Sequence, residues 1–153
     1  MNNNLYTVLG SNGPVGRSIV NQLINSDKQV RGVQRSIEHT ANFEIVNADI
    51  LNKENAAMAI ADSSVVFLCI GIQYSYKAWS EQWERIMQNT IDACSKANAK
   101  LIFLDNVYMY GPAPLKVPFD ENHSQLPVSR KGTVRKRVAD MLLNAFEKGK
   151  IEG

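Results

Sequence analysis

Residues that most often carry metal, redox or membrane chemistry are scarce in this sequence. It holds two cysteines and two histidines among 153 residues. Cys69 and Cys94 stand at no metal-ligand spacing and form no Cys-x-x-Cys pair, which excludes a sequence-encoded zinc or dithiol motif; no metal ligand is assigned. Cys69 lies in the apolar run Val65–Ile70 and Cys94 on the apolar stripe of a helical pattern, so both are expected as small core hydrophobes. His39 and His123 fall in expected loops without ligand partners nearby. No apolar run approaches the roughly 20 residues that cross a bilayer. Met1-Asn-Asn-Asn4 lacks the charged start of a secretory leader. With unpaired cysteines suited to a reducing compartment, the expectation is a soluble, cytoplasmic protein with no membrane partner. A net charge of +2 is too small to imply nucleic acid or an anionic surface by itself.

What is present is the composition of one globular domain, 44% hydrophobic and 21% charged. Apolar runs alternate with helical patterns. Leu5–Leu9 reads as a strand and Pro14–Ile24 as a helix burying Val15, Ile19, Val20, Leu23 and Ile24. Strands are expected at Gln29–Gln34 and Phe43–Val46, then a helix over Lys53–Ala61 with Asn52 as N-cap. Val65–Ile70 is apolar on both faces, as a central strand must be. A long helix follows over Trp79–Ala97 with the stripe Trp83, Ile86, Met87, Thr90, Ile91 and Cys94. Leu101–Leu104 is the next strand, Gly111–Pro127 a loop with four of the five prolines, and Val134–Phe146 a closing helix. The alternation predicts an α/β fold of βαβ units on a parallel sheet, and the glycine spacing after the first strand makes it a Rossmann-like, doubly wound sheet of order 3-2-1-4-5.

Gly10, Gly13 and Gly16 fall between the first strand and the first helix, with Asn12, Pro14 and Val15 among them. In that context the first glycine allows the tight turn, the second lets backbone approach a pyrophosphate, and the third lets helix and strand pack closely. The amides of the helix's first turn then favour phosphate. The Gly-Lys-Ser/Thr ending of the other common phosphate loop is absent. At the end of the second strand no carboxylate stands ready for an adenosine ribose; the sequence reads Gln34-Arg35-Ser36. Arg35 suits a 2′-phosphate and Ser36 adds a hydroxyl donor, so NADP is expected over NAD.

These motifs resemble the short-chain dehydrogenase/reductase superfamily, in its extended or atypical epimerase/dehydratase branch. Its loop is Gly-x-x-Gly-x-x-Gly, as at Gly10, Gly13 and Gly16. Asn47-Ala48-Asp49-Ile50 resembles its adenine-contacting segment, which implies cofactor contacts by Asp49 and Ile50. Leu68-Cys69-Ile70-Gly71 resembles the fourth-strand end, implying contacts by Ile70 and Gly71 on the ribose and nicotinamide side. Asn89 matches an asparagine of the following helix. The stretch Leu101–Gly111, with Val107-Tyr-Met-Tyr-Gly111, resembles the fifth strand and its Val-Tyr-Gly signature.

The catalytic pattern of that superfamily, a tyrosine with lysine four residues later, has no match. None of Tyr6, Tyr74, Tyr76, Tyr108 or Tyr110 is followed by lysine at that distance. Aligning Pro127–Arg135 with Pro-x-Ser-x-Tyr-Gly-x-x-Lys places Lys131 at the tyrosine and Arg135 at the lysine, while Asp105 and Asn106 occupy the serine-rich strand end. Lys131, Arg135 and Asp105 are therefore the catalytic candidates, in degenerate positions. Lys131 reads sooner as a surface lysine at a helix start than as a proton donor, and Arg135 sooner as a holder of ribose hydroxyls or phosphate than as an aid to catalysis. Members of this branch are about twice as long, so the chain is expected to be the nucleotide-binding half, truncated before a sixth strand and without the substrate-binding region. The fifth strand is then expected as a bare sheet edge.

Arg130, Lys131, Arg135, Lys136 and Arg137 crowd the start of the last helix, where the dipole disfavours cations by ~0.3–1 kcal/mol each. An anion seated there, or a solvated basic face, would account for them. Two functions compete. One is an NADP-dependent epimerase, dehydratase or reductase acting on a carbonyl or nucleotide-sugar-like small molecule, weak or inactive as this chain alone. The other is a non-catalytic dinucleotide-binding or redox-sensing protein acting through a partner. The stripes of 79–97 and 134–146 suggest a homodimer through those helices. Nucleic acid is not expected, since the basic helix lacks interleaved aromatics.

Overall fold

The computed structural model describes residues 5–36 and 42–153, and His39 lies outside them. Five strands, β1 (Leu5–Leu9), β2 (Gln29–Gln34), β3 (Glu44–Asn47), β4 (Val65–Leu68) and β5 (Lys100–Phe103), form one sheet of order β3-β2-β1-β4-β5. Every pairing is parallel, with Leu9 opposite both Val33 and Leu68. This is the order that the glycine spacing, set in the alternating pattern, predicts.

Side-chain alternation along the strands divides the core. Val8 and Val30 face α1 (Pro14–Asn25) and pack with its Val20. Leu9, Val33, Val66, Leu68 and Leu101 face the other way, beneath α2 (Lys53–Ile60), α3 (Tyr76–Ala97) and α4 (Arg130–Glu147). The α3 stripe and its α4 counterparts Val134, Val138 and Leu142 are buried in this chain's own core.

Helix starts follow their caps. Asn52 accepts from Asn55 N–H at 2.8 Å, as its position predicts. Ser75 caps α3 through Ala78 N–H at 3.2 Å, and Ser129 caps α4 through Gly132 N–H at 2.9 Å. The two longer helices therefore begin at Tyr76 and Arg130, ahead of the first apolar stripe residues that periodicity marks. β4 ends at Leu68, short of Ile70, although Cys69 N–H still donates to the Leu9 carbonyl at 2.9 Å.

The cations at the start of α4 find partners within the chain. Arg135 is 2% exposed, is ion-paired with Asp105, and stacks on Trp83 and Phe103 at 4.4 and 4.8 Å from the ring centroids. Lys136 pairs with Asp140 at 2.8 Å and Arg137 with Glu84 at 3.5 Å. Arg130 and Lys131 lie over Tyr76 and Tyr74, at 5.5 and 3.1 Å. Acids and ring faces of the chain itself thus supply the negative potential, in place of either an outside anion or solvent alone. The expected bare edge of β5 is likewise met at one point: Leu101 N–H donates to the Glu152 carbonyl at 2.8 Å, beside a buried Ile151.

Removing Asp105's charge should leave Arg135 buried without its counter-charge, a change that costs about 3 kcal/mol or more. Asp105→Asn, which conserves volume, is expected to lower the unfolding free energy by that order in urea denaturation followed by circular dichroism.

Candidate functional site

The turn from β1 into α1 is built on two close approaches. Gly10 has φ +85°, in the left-handed region that favours glycine, and a Cβ there would stand 2.8 Å from the Cys69 carbonyl oxygen. A Cβ on Gly16 would collide with the Gly10 carbonyl, so α1 rests directly on the loop. The Gly10 and Ser11 amides donate to the Val33 carbonyl at 2.8 and 3.3 Å, and Gly13 N–H donates to Gly10 at 3.1 Å. The other three helices have side-chain caps; α1 does not, because Gly13 occupies its N-cap. Pro14 has no N–H to satisfy, and the Val15 and Gly16 amides lie in the first turn, where no intrahelical acceptor exists.

This helix end opens on a cavity of about 410 Å³, within the range of small-molecule sites. It lies at the carboxyl ends of the strands, where the order reverses between β1 and β4. Gly10, Asn12, Gly13, Pro14 and Val15 line it from the loop, Arg35 from the end of β2, Asp49 and Ile50 from beyond β3, and Ile70 and Gly71 from beyond β4. Ten of the sequence-derived candidates thus share one wall system. Gly16 lies behind that wall as a packing residue, and Ser36 is exposed outside it. Lys131, Arg135 and Asp105 are not among the lining residues.

Asn89 holds the segment beyond β3 in place. Its side-chain amide is buried and donates to the carbonyls of Ile50 and Leu51 at 2.8 and 3.2 Å. Asp49 Oδ1 accepts from Leu51 N–H at 3.0 Å, which leaves its second oxygen free for a ligand. Gln34, by contrast, was missed by reasoning that looked for a carboxylate at the strand end and passed on to Arg35. It is 6% exposed and lines the cavity. Ser11 Oγ donates to Gln34 Oε1 at 3.3 Å, while Gln34 Nε2 has no partner. A buried amide in that state is a donor waiting for an acceptor. The position rule that drew attention to the end of β2 could have found it.

Cys69 also lines the cavity, but burial pushes its thiol up to about 11, and Cys94 to about 12. Neither offers a thiolate nucleophile at neutral pH. Among the described residues no group of three or more His, Cys, Asp or Glu is placed to hold a metal, and no helix is long and apolar enough to cross a membrane.

Beyond the cavity, Tyr74 and Tyr108 share a hydrogen bond between hydroxyls at 3.3 Å, with the Lys131 ammonium on the Tyr74 ring face. That hydrogen bond, and the charge of Tyr74 when ionised, hold the Tyr108 phenol above its ordinary value against the pull of Lys131.

The profile of a family described as NAD(P)H-binding matches residues 10–147. A search of curated protein sequences finds no significant match. Among solved structures, the chain is similar to a short-chain dehydrogenase/reductase superfamily protein from Agrobacterium tumefaciens with bound NAD, at 22% identity and TM-score 0.84, covering 96% of this chain and 46% of that one. It is similar to a UDP-N-acetylglucosamine 4-epimerase from Bacillus cereus at 21% identity and TM-score 0.79, covering 95% and 52%. A glucuronic acid dehydrogenase from Chromohalobacter salexigens matches at 19% identity and TM-score 0.83, covering 97% and 58%. At these identities the likeness establishes a shared fold. The chain spans about half the length of these structures.

The uncapped helix end, the glycines whose Cβ positions are filled by backbone, and the unpartnered Gln34 amide all fit a dinucleotide. Asn89→Ala removes the donor to two buried carbonyls, at a cost of about 1–3 kcal/mol. It should also weaken dinucleotide binding several-fold by loosening Asp49 and Ile50, read by calorimetric titration beside a thermal melt.

Proposed function

The chain belongs to the NAD(P)H-binding family, and from that footing we propose an NADP-preferring, oxidoreductase-like protein of the epimerase/dehydratase/reductase type. On this reading residues 1–153 constitute one dinucleotide-binding domain. The uncapped end of α1 receives the pyrophosphate. Asp49 and Ile50 hold the adenine side, and Ile70 and Gly71 the nicotinamide side. When bound, the dinucleotide would supply or accept a hydride; the protein supplies placement and exclusion of water. The substrate class is a small carbonyl or nucleotide-sugar-like molecule.

The observation that carries the NADP preference is a pair of donors, Arg35 and the Gln34 amide, at the strand end where a carboxylate would favour NAD. A 2′-phosphate offers both of them an acceptor, with Ser36 exposed next to Arg35. A second reading, a non-catalytic dinucleotide-binding or redox-sensing protein working through a partner, is favoured by one observation. At the position of the family's lysine stands Arg135, whose guanidinium is committed to Asp105 and the rings of Trp83 and Phe103.

Binding separates the cofactors. NADPH should bind more tightly than NADH in calorimetric titrations at fixed salt. Arg35→Ala should weaken NADPH about tenfold, or ~1.4 kcal/mol, while NADH is unaffected. Equal affinities in the parent protein would remove the NADP preference. A homodimer through helices 79–97 and 134–146 belongs to the same proposal, although the apolar stripes that suggest it are buried in this chain's own core. Light scattering over a range of concentrations should then give a mass double that of the 17.1 kDa chain.

A further inference from the structure

One amide in the cavity wall has no part in the reading above. Gln82 lines the cavity from α3, half-buried, and among the described residues its side chain has no hydrogen-bond partner. The other polar side chains of the wall already have a place: Asn12 in the glycine loop, Gln34 and Arg35 at the end of β2, and Asp49 beyond β3. We infer that Gln82 reads the base of the dinucleotide and selects a 6-aminopurine over a 6-oxopurine, an inference that rests on the dinucleotide reading above.

Position along α3 decides what Gln82 faces. Ile86 and Asn89 follow it at the i+4 and i+7 spacing of a single helix face. Ile86 is buried and lines the same cavity. Asn89 ties that face to the segment beyond β3, through the Ile50 and Leu51 carbonyls at 2.8 and 3.2 Å. Gln82 therefore belongs to the side of the cavity that Asp49 and Ile50 form. Because α3 joins two parallel strands, it runs against them. The two turns from Asn89 back to Gln82, about 10 Å of rise, lead toward the carboxyl ends of the strands, where the cavity opens.

This side of the wall is an apolar slot with two polar groups. Ile50, Leu51, Ile72 and Ile86 offer hydrocarbon on which a flat ring can rest. Asp49 has one oxygen engaged with Leu51 N–H at 3.0 Å, and its second oxygen can only accept. Gln82 carries an acceptor and a donor on one planar group. Adenine presents the complement: an exocyclic amine with two protons to give, beside a ring nitrogen that accepts. A glutamine amide pairs with that amine and N7 through two hydrogen bonds, and Asp49 can take the second amine proton. In a 6-oxopurine the amine gives way to an oxygen. The Asp49 carboxylate and the Gln82 carbonyl then both face an acceptor. Opposed or unpaired polar groups in a partly desolvated site are what make such discrimination steep.

The test compares NADPH with its 6-oxo analogue, reduced nicotinamide hypoxanthine dinucleotide phosphate. Each is titrated calorimetrically into the parent protein, Gln82→Met and Gln82→Leu, and thermal melts confirm that the variants fold. Both substitutions remove the amide and keep an apolar stem of similar size. The parent should bind NADPH about tenfold more tightly than the analogue. The variants should weaken NADPH several-fold, leave the analogue nearly unchanged, and so narrow the ratio. The preference for NADPH over NADH, set by Arg35 at the end of β2, should stay where it is. Equal binding of NADPH and the analogue by the parent overturns the inference. So does a folded variant that keeps the parent's ratio, or one that loses both ligands to the same degree. A parent that binds neither ligand overturns the dinucleotide reading itself, an outcome seen before any variant is made.

Discussion

The carbonyl of Gly10 packed against the α-carbon of Gly16 sets the geometry on which the ligand end of this molecule depends. A helix that follows a strand through so short a turn can aim its N-terminus at a ligand only if its backbone approaches the loop without a side chain between. Gly10, in the left-handed region and tight against the Cys69 carbonyl, allows the turn and locks β1 to the exit of β4 at once. The amides of Gly10 and Ser11, both directed at Val33, lock it to β2 as well. The three central strands therefore meet at one glycine, and the cavity opens where they meet.

Two helix starts in the same chain solve opposite electrostatic problems. At α1 the first-turn amides have no cap, no acidic neighbour in the turn and a proline that removes one donor, which leaves a positive end directed at open space. At α4 the dipole faces a crowd of cations and would repel them. Asp105, Asp140 and Glu84 neutralise three of those cations, and tyrosine faces hold the two at the very start. Charge counting along the sequence treats both starts alike as places for an anion. Only the first lacks a partner of its own.

Legibility in the sequence followed the range of the forces involved. The strands, helices and phosphate loop were readable because hydrophobic periodicity and glycine spacing are local signals, and Asn52 was readable as a cap because its acceptor and donor lie three residues apart. The earlier starts of α3 and α4 were not, since the first turns after Ser75 and Ser129 carry too few large apolar residues to mark a stripe. Arg135 shows the limit most clearly. Its register in the motif suggested a role toward cofactor. Its partners Asp105, Trp83 and Phe103 come from two other elements and a loop, and no spacing within α4 announces them. Gln34 was hidden for a different reason: its interest lies in an amide nitrogen without a partner, a property of three-dimensional surroundings alone.

The aromatic stack on which Arg135 and Lys131 rest contains Trp79 and Trp83, and these are the two tryptophans of the sequence. They face each other edge-on at 6.2 Å, one against Tyr74 and the other against Phe103. The indole light emitted by this protein therefore originates wholly from that stack, between two cations and beside the phenol pair. Displacement of Lys131, whose ammonium lies 5.8 Å from the Trp79 ring centroid, changes the field across that indole directly. The chain thus carries an intrinsic optical reporter of the ground just outside its cavity, with no label attached.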